Sequence, residues 1–237
     1  MNVIWHDLEC GAYEEDMALW RSLASERGGA VLDVGAGTGR VALDLARRGH
    51  VVTALDHDAE LLDALARRGH DLPLETVCAD AREFSLDRRF SLCLVPMQTI
   101  QLLGGPDGRI AFMRCARLHL ERDGLLAIAF AQDLDLYESH DGLPAPLPDI
   151  REIEGVVYSS QPTAVRADAD HFVLERRRET VTAGGARSME LNVIELDRLT
   201  PEQLEREGEQ AGLRPAGRTE ISMTADYVGS VVVMFSA

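Results

Sequence analysis

The stretch that most constrains this chain is Val31-Leu32-Asp33-Val34-Gly35-Ala36-Gly37-Thr38-Gly39-Arg40. Val31, Leu32 and Val34 form a short apolar run of the kind that makes a strand buried on both faces. Three alternating glycines follow, and Val41-Ala42-Leu43-Asp44-Leu45-Ala46 then opens a helical pattern. Strand, glycine turn and helix in that order are the start of a βαβ unit, where a glycine motif acquires meaning. Glycine allows close backbone approach to a ligand and positive φ in a tight turn. Amides at the start of the following helix are expected to be unpaired and to suit a polar or anionic group.

Two kinds of cofactor compete for such a turn. The dinucleotide fingerprint is Gly-x-Gly-x-x-Gly, whose third glycine permits close helix–strand packing. Here the spacing is Gly-x-Gly-x-Gly, and Arg40 stands where that third glycine would fall. A second apolar run, Val51 to Leu55, ends at Asp56, placed to accept hydrogen bonds from both hydroxyls of a ribose. Nicotinamide and adenosylmethionine proteins share that requirement, so Asp56 alone does not separate them. A third strand candidate, Leu74 to Cys78, is followed by Ala79-Asp80-Ala81-Arg82.

Asp33 two residues before the first glycine, with the shortened glycine spacing, resembles motif I of the class I S-adenosylmethionine-dependent methyltransferases. The resemblance implies that Asp33, Gly35, Ala36, Gly37 and Gly39 pass under the methionine part of S-adenosylmethionine. It further implies that Asp56 holds the ribose, His57 packs at the adenine edge, and Asp80 with Ala81 receives the adenine amino group. The fourth strand, Phe90 to Val95, leads into Pro96-Met97-Gln98, the position at which family members divide by chemistry. The Asn-Pro-Pro-Tyr of nucleic-acid amine methyltransferases is absent, and Met97 replaces the nucleophilic cysteine of the cytosine C5 enzymes. Pro96, Met97, Gln98 and Gln101 are then expected at the cofactor–acceptor junction. Tyr13-Glu14 is similar to the lid motif of many small-molecule members, with Trp20 a weaker second candidate.

Composition narrows the partners. The 237 residues suit one α/β domain with an embellishment, and no apolar run approaches the roughly 20 residues that span a bilayer. A formal net charge of −16 argues against a nucleic-acid backbone as the main partner. Every basic side chain is arginine, which removes lysine Schiff-base chemistry. Cys10, Cys78, Cys93 and Cys115 are widely spaced, so no metal site is expected; Cys78 and Cys93 read as buried core residues. Free thiols and an acidic amino terminus without a signal pattern point to the cytoplasm.

The remaining chain completes a doubly wound, mostly parallel seven-stranded sheet. Residues 1–27 read as a helical lid, 28–132 as the cofactor-binding half, 133–199 as a β insertion and 200–237 as a closing helix with an antiparallel strand pair. Within the insertion, strands are expected over 153–160, 172–182 and 189–196, with Gly184-Gly185 as a hairpin turn. Similar insertions wall the acceptor pocket in the glycine N-methyltransferase-like and amino-sugar N-methyltransferase-like branches. Thr200-Pro201-Glu202-Gln203 carries a capping-box pattern.

The resemblance implies methyl transfer to an N or O atom of a small molecule. Two other readings stay open: an adenosylmethionine binder without methyl transfer, as in a repurposed cyclase, and a protein or tRNA methyltransferase. Direct displacement at an activated methyl asks the protein chiefly for orientation and desolvation. An amine acceptor needs only to arrive neutral, whereas a hydroxyl benefits from a base. His6, His140 and His171 are the candidate bases, and Tyr158 the candidate pocket hydroxyl.

Overall fold

The computed structural model describes residues 2–139, 146–224 and 227–237. Beyond the first two residues, the chain divides into two compact units: Tyr13–Gln132 with Leu199–Ala237, and Val3–Ala12 with Asp133–Arg198. The segment read as one lid is therefore split. Its first helix, α1 (Asn2–Cys10), clusters with the insertion, while its second, α2 (Met17–Arg27), is built into the larger unit.

In the larger unit β1 (Ala30–Val34), β2 (Val51–Asp56), β3 (Leu74–Cys78), β4 (Phe90–Val95) and β5 (Leu120–Phe130) are parallel, linked through α3 (Arg40–Arg47), α4 (Ala59–Arg68) and α5 (Gly105–His119). The chain then gives β6 (Tyr137–Glu138), β7 (Asp149–Ile153), β8 (Val156–Ala167), β9 (His171–Val181) and β10 (Arg187–Asp197) to the smaller unit. It returns as α6 (Pro201–Gln210), β11 (Arg214–Ile221) and β12 (Ser230–Ser236), both strands antiparallel. The sheet order is β11-β12-β5-β4-β1-β2-β3, so the direction of winding reverses between β1 and β4. Crevices for ligands open at the carboxyl ends of strands at such a reversal.

Alternation along each strand sends side chains to two apolar layers. Leu32, Val34, Cys93, Val95 and Ile128 join Phe112, Met113 and Leu204, from α5 and α6, on one face. Val31, Val52, Ala54, Leu92 and Leu94 join Trp20, Leu45 and Leu65, from α2, α3 and α4, on the other. Burial on both faces is what parallel strands require. Asp58 caps α4 by accepting from the amides of Glu60 (2.9 Å) and Leu61 (3.3 Å). At α6 the capping box forms, with Gln203 N donating to Thr200 Oγ1 (3.2 Å) and Thr200 N to Gln203 Oε1 (2.8 Å).

Two local expectations need correction. Cys78 is exposed, because β3 is the edge strand of the sheet. Residues 153–160 do not form one strand: Glu154 (φ 51°) and Gly155 (φ 77°) make a tight turn between β7 and β8. Elsewhere, α5 runs directly into β5, whose first part bulges around Asp123 (φ 63°).

In the smaller unit β10, β9, β8 and β6 pair in that order, and β7 also pairs with β8. Helix α1 is tied to this sheet by Glu9, which accepts from Arg178 Nε and Nη2 (both 2.7 Å) and from Ser160 Oγ (2.7 Å). Two guanidinium bonds hold the Glu9 carboxyl below its ordinary pKa although burial pushes the other way. Trp5 stands edge-on to Tyr158, with ring centroids 5.6 Å apart.

Candidate functional site

The ends of β1, β2, β3 and β4 bring most of the sequence-selected residues to one edge of the larger unit. The glycine turn is held from inside. Gly35 N and Ala36 N donate to Leu55 O (2.8 and 3.1 Å), Gly37 N to Asp56 Oδ2 (2.8 Å) and Gly39 N to Ala36 O (2.9 Å). The turn thus closes on β2 and on itself through these four amides.

Close packing fixes the outer glycines. A Cβ on Gly35 (φ +72°) would stand 2.4 Å from Thr99 Oγ1, and one on Gly39 (φ +94°) 2.1 Å from Leu65 Cδ1. Ala36 is buried, and Gly39 caps α3 in the left-handed region.

Asp33 is the most unusual group. It is 1% exposed, on the face of β1 that enters the apolar layer of Trp20 and Leu45, and neither carboxyl oxygen has a side-chain hydrogen-bond partner among the described residues. Burial raises its pKa to about 7; the Arg40 guanidinium and the Ala42 amide oppose the rise without cancelling it. A buried carboxylate costs free energy unless something pairs with it.

Asp56 ends β2 with its carboxylate on the glycine turn. One oxygen accepts from Gly37 N, and the other accepts from Asp58 N (3.0 Å) and lies 3.3 Å from His57 Nδ1. A carboxylate offers about four lone-pair sites, so acceptor capacity remains. The His57 side chain itself is largely exposed. Asp80 follows β3 and grips Arg82 through Arg82 Nε (2.9 Å), Nη2 (2.6 Å) and the backbone N (2.8 Å). These bonds lower its pKa to about 2. Its neighbour Ala81 is packed into the core.

After β4, Pro96 O accepts from Thr99 Oγ1 (3.1 Å), and Met97 adopts φ 56°, a left-handed conformation rare outside glycine. Gln101, expected at the junction, is buried, and its amide exchanges bonds with Ala131: Nε2 to O at 3.0 Å, and N to Oε1 at 2.9 Å. It ties the β4 end to the β5 end, a role no sequence signal announced.

Arg40, read only as a missing glycine, organises the approach from the amino terminus. Its guanidinium forks onto Asp16 (2.5 and 2.7 Å), donates to Tyr13 O (2.8 Å) and lies 5.0 Å from the Tyr13 ring centroid. Tyr13 is buried edge-on to Tyr227 (5.1 Å), and burial with the Asp16 charge raises its phenol above the usual pKa. Trp20 is wholly buried in the core. His6 and Tyr158 belong to the smaller unit; His140 lies outside the described residues.

Three carboxylates at successive strand ends, with the turn amides consumed, suit a ligand carrying positive charge and hydroxyls. Residues 31–124 match the family described as a methyltransferase domain, and the sheet order is that of the class I Rossmann-like fold.

Among known proteins, the chain is 33% identical over 97 residues to the cypemycin N-terminal methyltransferase of a Streptomyces species, a match spanning 41% of this chain and 40% of that protein. The sugar N-methyltransferase KedS8 from Streptoalloteichus sp ATCC 53650 superimposes with a TM-score of 0.73 at 19% identity, covering 98% of this chain and 91% of that one. CalS10, an amino pentose methyltransferase from Micromonospora echinaspora, gives 0.71 at 20% identity over 99% and 97% of the two chains. Among the described residues no helix is long and apolar enough to cross a membrane.

Proposed function

We propose that this protein transfers the methyl group of S-adenosylmethionine to a nitrogen atom of a small-molecule acceptor. The observation that carries the proposal is Asp33, a buried carboxylate with no side-chain hydrogen-bond partner among the described residues, at the strand end that leads into the glycine turn. Such a group is complementary to an ammonium, as on the amino-acid portion of this cofactor. The bound cofactor supplies a methyl already activated on a sulfonium, so the chain's task is to bind, orient and exclude water.

Asp56 keeps acceptor sites for ribose hydroxyls while two of its bonds hold it rigid against Gly37 and Asp58. Preorganisation of this kind avoids an ordering cost on binding. Ala81, Asp80 and His57 bound the adenine side in this reading, Asp80 using lone pairs that Arg82 leaves open. Pro96 and the left-handed Met97 shape the junction with the acceptor, and Gln101 fixes that junction from behind. Tyr13, steered by Arg40, closes over the methionine end.

Nitrogen is favoured over oxygen because KedS8 is named a sugar N-methyltransferase and the cypemycin relative an N-terminal methyltransferase. A neutral amine carries its own lone pair, so the chemistry requires no base. The test is incubation of the full chain with methyl-labelled S-adenosylmethionine and panels of amino sugars, free amines, hydroxylated analogues and amino-terminal peptides. Label appearing on amines of small molecules supports the proposal. Label confined to hydroxyls or to peptides, or to none of them while the cofactor binds intact, overturns it.

A further inference from the structure

In the smaller unit a long strand stands at the edge of the sheet. Strand β10 is outermost and, among the described residues, pairs with β9 alone, in unbroken register from Arg187 to Asp197. An outer strand presents a row of backbone donors and acceptors, and proteins usually protect it with charge, proline or bulges. Here Met189, Leu191 and Val193 are 65%, 60% and 50% exposed and, two residues apart, occupy one face. Charged side chains on the adjacent strand flank the row: Glu179, Arg177 and Glu175 lie directly opposite these three residues.

We propose that two copies of this chain pair antiparallel along β10, with the two-fold axis at Leu191. That register sets Leu191 against its own mate and Met189 against Val193. It also sets Arg187 against Glu195, so both ends of the strand close with opposite charges. All five side chains lie on the same face, so the strand is complementary to itself in polarity and in charge. Moving the axis to Glu190 would oppose two glutamates, and moving it to Asn192 would put Met189 against Glu195. The side chain of Arg187 is 65% exposed with Nη2 on Glu179 (2.6 Å), and a guanidinium has further donors for a second carboxylate. Glu195 is exposed and forms no ion pair among the described residues. The β9 charges then serve as the polar rim around an apolar centre.

The pairing does not depend on the methyl-transfer reading. Sedimentation equilibrium and light scattering on the full chain test it, with circular dichroism confirming that each variant is folded. The wild-type protein is expected at twice the 26.0 kDa of one chain. Leu191→Glu should give the mass of one chain, and Arg187→Glu should weaken association roughly tenfold or more. Adding Glu195→Arg to Arg187→Glu should restore it, which a merely structural effect of either residue would not do. A monomeric wild type at its highest soluble concentration overturns the proposal. So does a dimer indifferent to Leu191→Glu, or a charge exchange that fails to restore pairing.

Discussion

Arg40, the first residue of α3, forks onto the carboxylate of Asp16, the residue before α2, at 2.5 and 2.7 Å. Asp16 is wholly buried, and the same guanidinium holds the carbonyl of Tyr13. One side chain thus fastens the amino-terminal approach to the helix that follows the glycine turn. Removing one partner of a buried pair leaves an uncompensated charge, so Arg40→Met should cost about 3–5 kcal/mol. Arg40→Lys keeps the charge but loses the fork, and should fall between. Urea denaturation of the three proteins measures this; equal midpoints would show the pair to be structurally idle.

Ionisation of Asp33 makes stability depend on pH. Its folded-state pKa, about 7, lies above the ordinary aspartate value of 3.8. The native state therefore holds the proton more tightly than the unfolded chain, and stability declines as pH rises from about 4 through about 7. Asp33→Asn should flatten this slope and leave the cofactor-free protein more stable at pH 8, by roughly 1–4 kcal/mol. Thermal melts across that pH range provide the measurement, and parallel slopes in the two proteins would contradict it.

Arg40 also opposes the rise in the Asp33 pKa. Removing its charge should move the Asp33 ionisation to higher pH, which carboxyl-selective NMR titration of Arg40→Met would read, with the charge-keeping Arg40→Lys as the comparison. An unmoved titration in Arg40→Met would disconnect the two groups.

Gly35 combines a left-handed φ with a 2.4 Å approach to Thr99 from any added Cβ. Gly35→Ala should therefore abolish cofactor binding, and pairing it with Thr99→Ala should recover only part, because the backbone penalty at φ +72° remains. Full recovery in the double variant would mean that space, not backbone conformation, selects glycine.

Gln101 satisfies both backbone groups of the fully buried Ala131. Gln101→Leu preserves the volume but strands a buried donor and acceptor, so a loss of about 2–4 kcal/mol is expected in equilibrium unfolding. A loss under about 0.5 kcal/mol would place the Ala131 groups in other bonds.

The glycine turn and Asp33, Asp56 and Asp80 were legible because each belongs to a strand end that apolar patterning locates. Side-chain partnership was not. Arg40 could be seen as a departure from the dinucleotide fingerprint, but its partner Asp16 lies 24 residues upstream with no spacing to betray it. Gln101 looked like a junction residue, yet its role depends on Ala131, 30 residues away. Cys78 misled because an edge strand carries the same apolar lettering as a central one. The turn at Glu154-Gly155 lacked the Asn-Gly or Asp-Gly pair that marks most short hairpins. The amino-terminal division at Ala12 and Tyr13 follows from long-range packing of α1 on the insertion strands, through Trp5 and Glu9.

The central claim is that the β1–β4 edge holds an adenosyl sulfonium. Isothermal titration of the wild-type chain with S-adenosylmethionine and with NADH, repeated on Asp56→Ala, tests it most directly. The account predicts saturable binding of S-adenosylmethionine alone, weakened in Asp56→Ala by about 1–3 kcal/mol. Preferential binding of NADH, or a dissociation constant indifferent to the loss of Asp56, would contradict it.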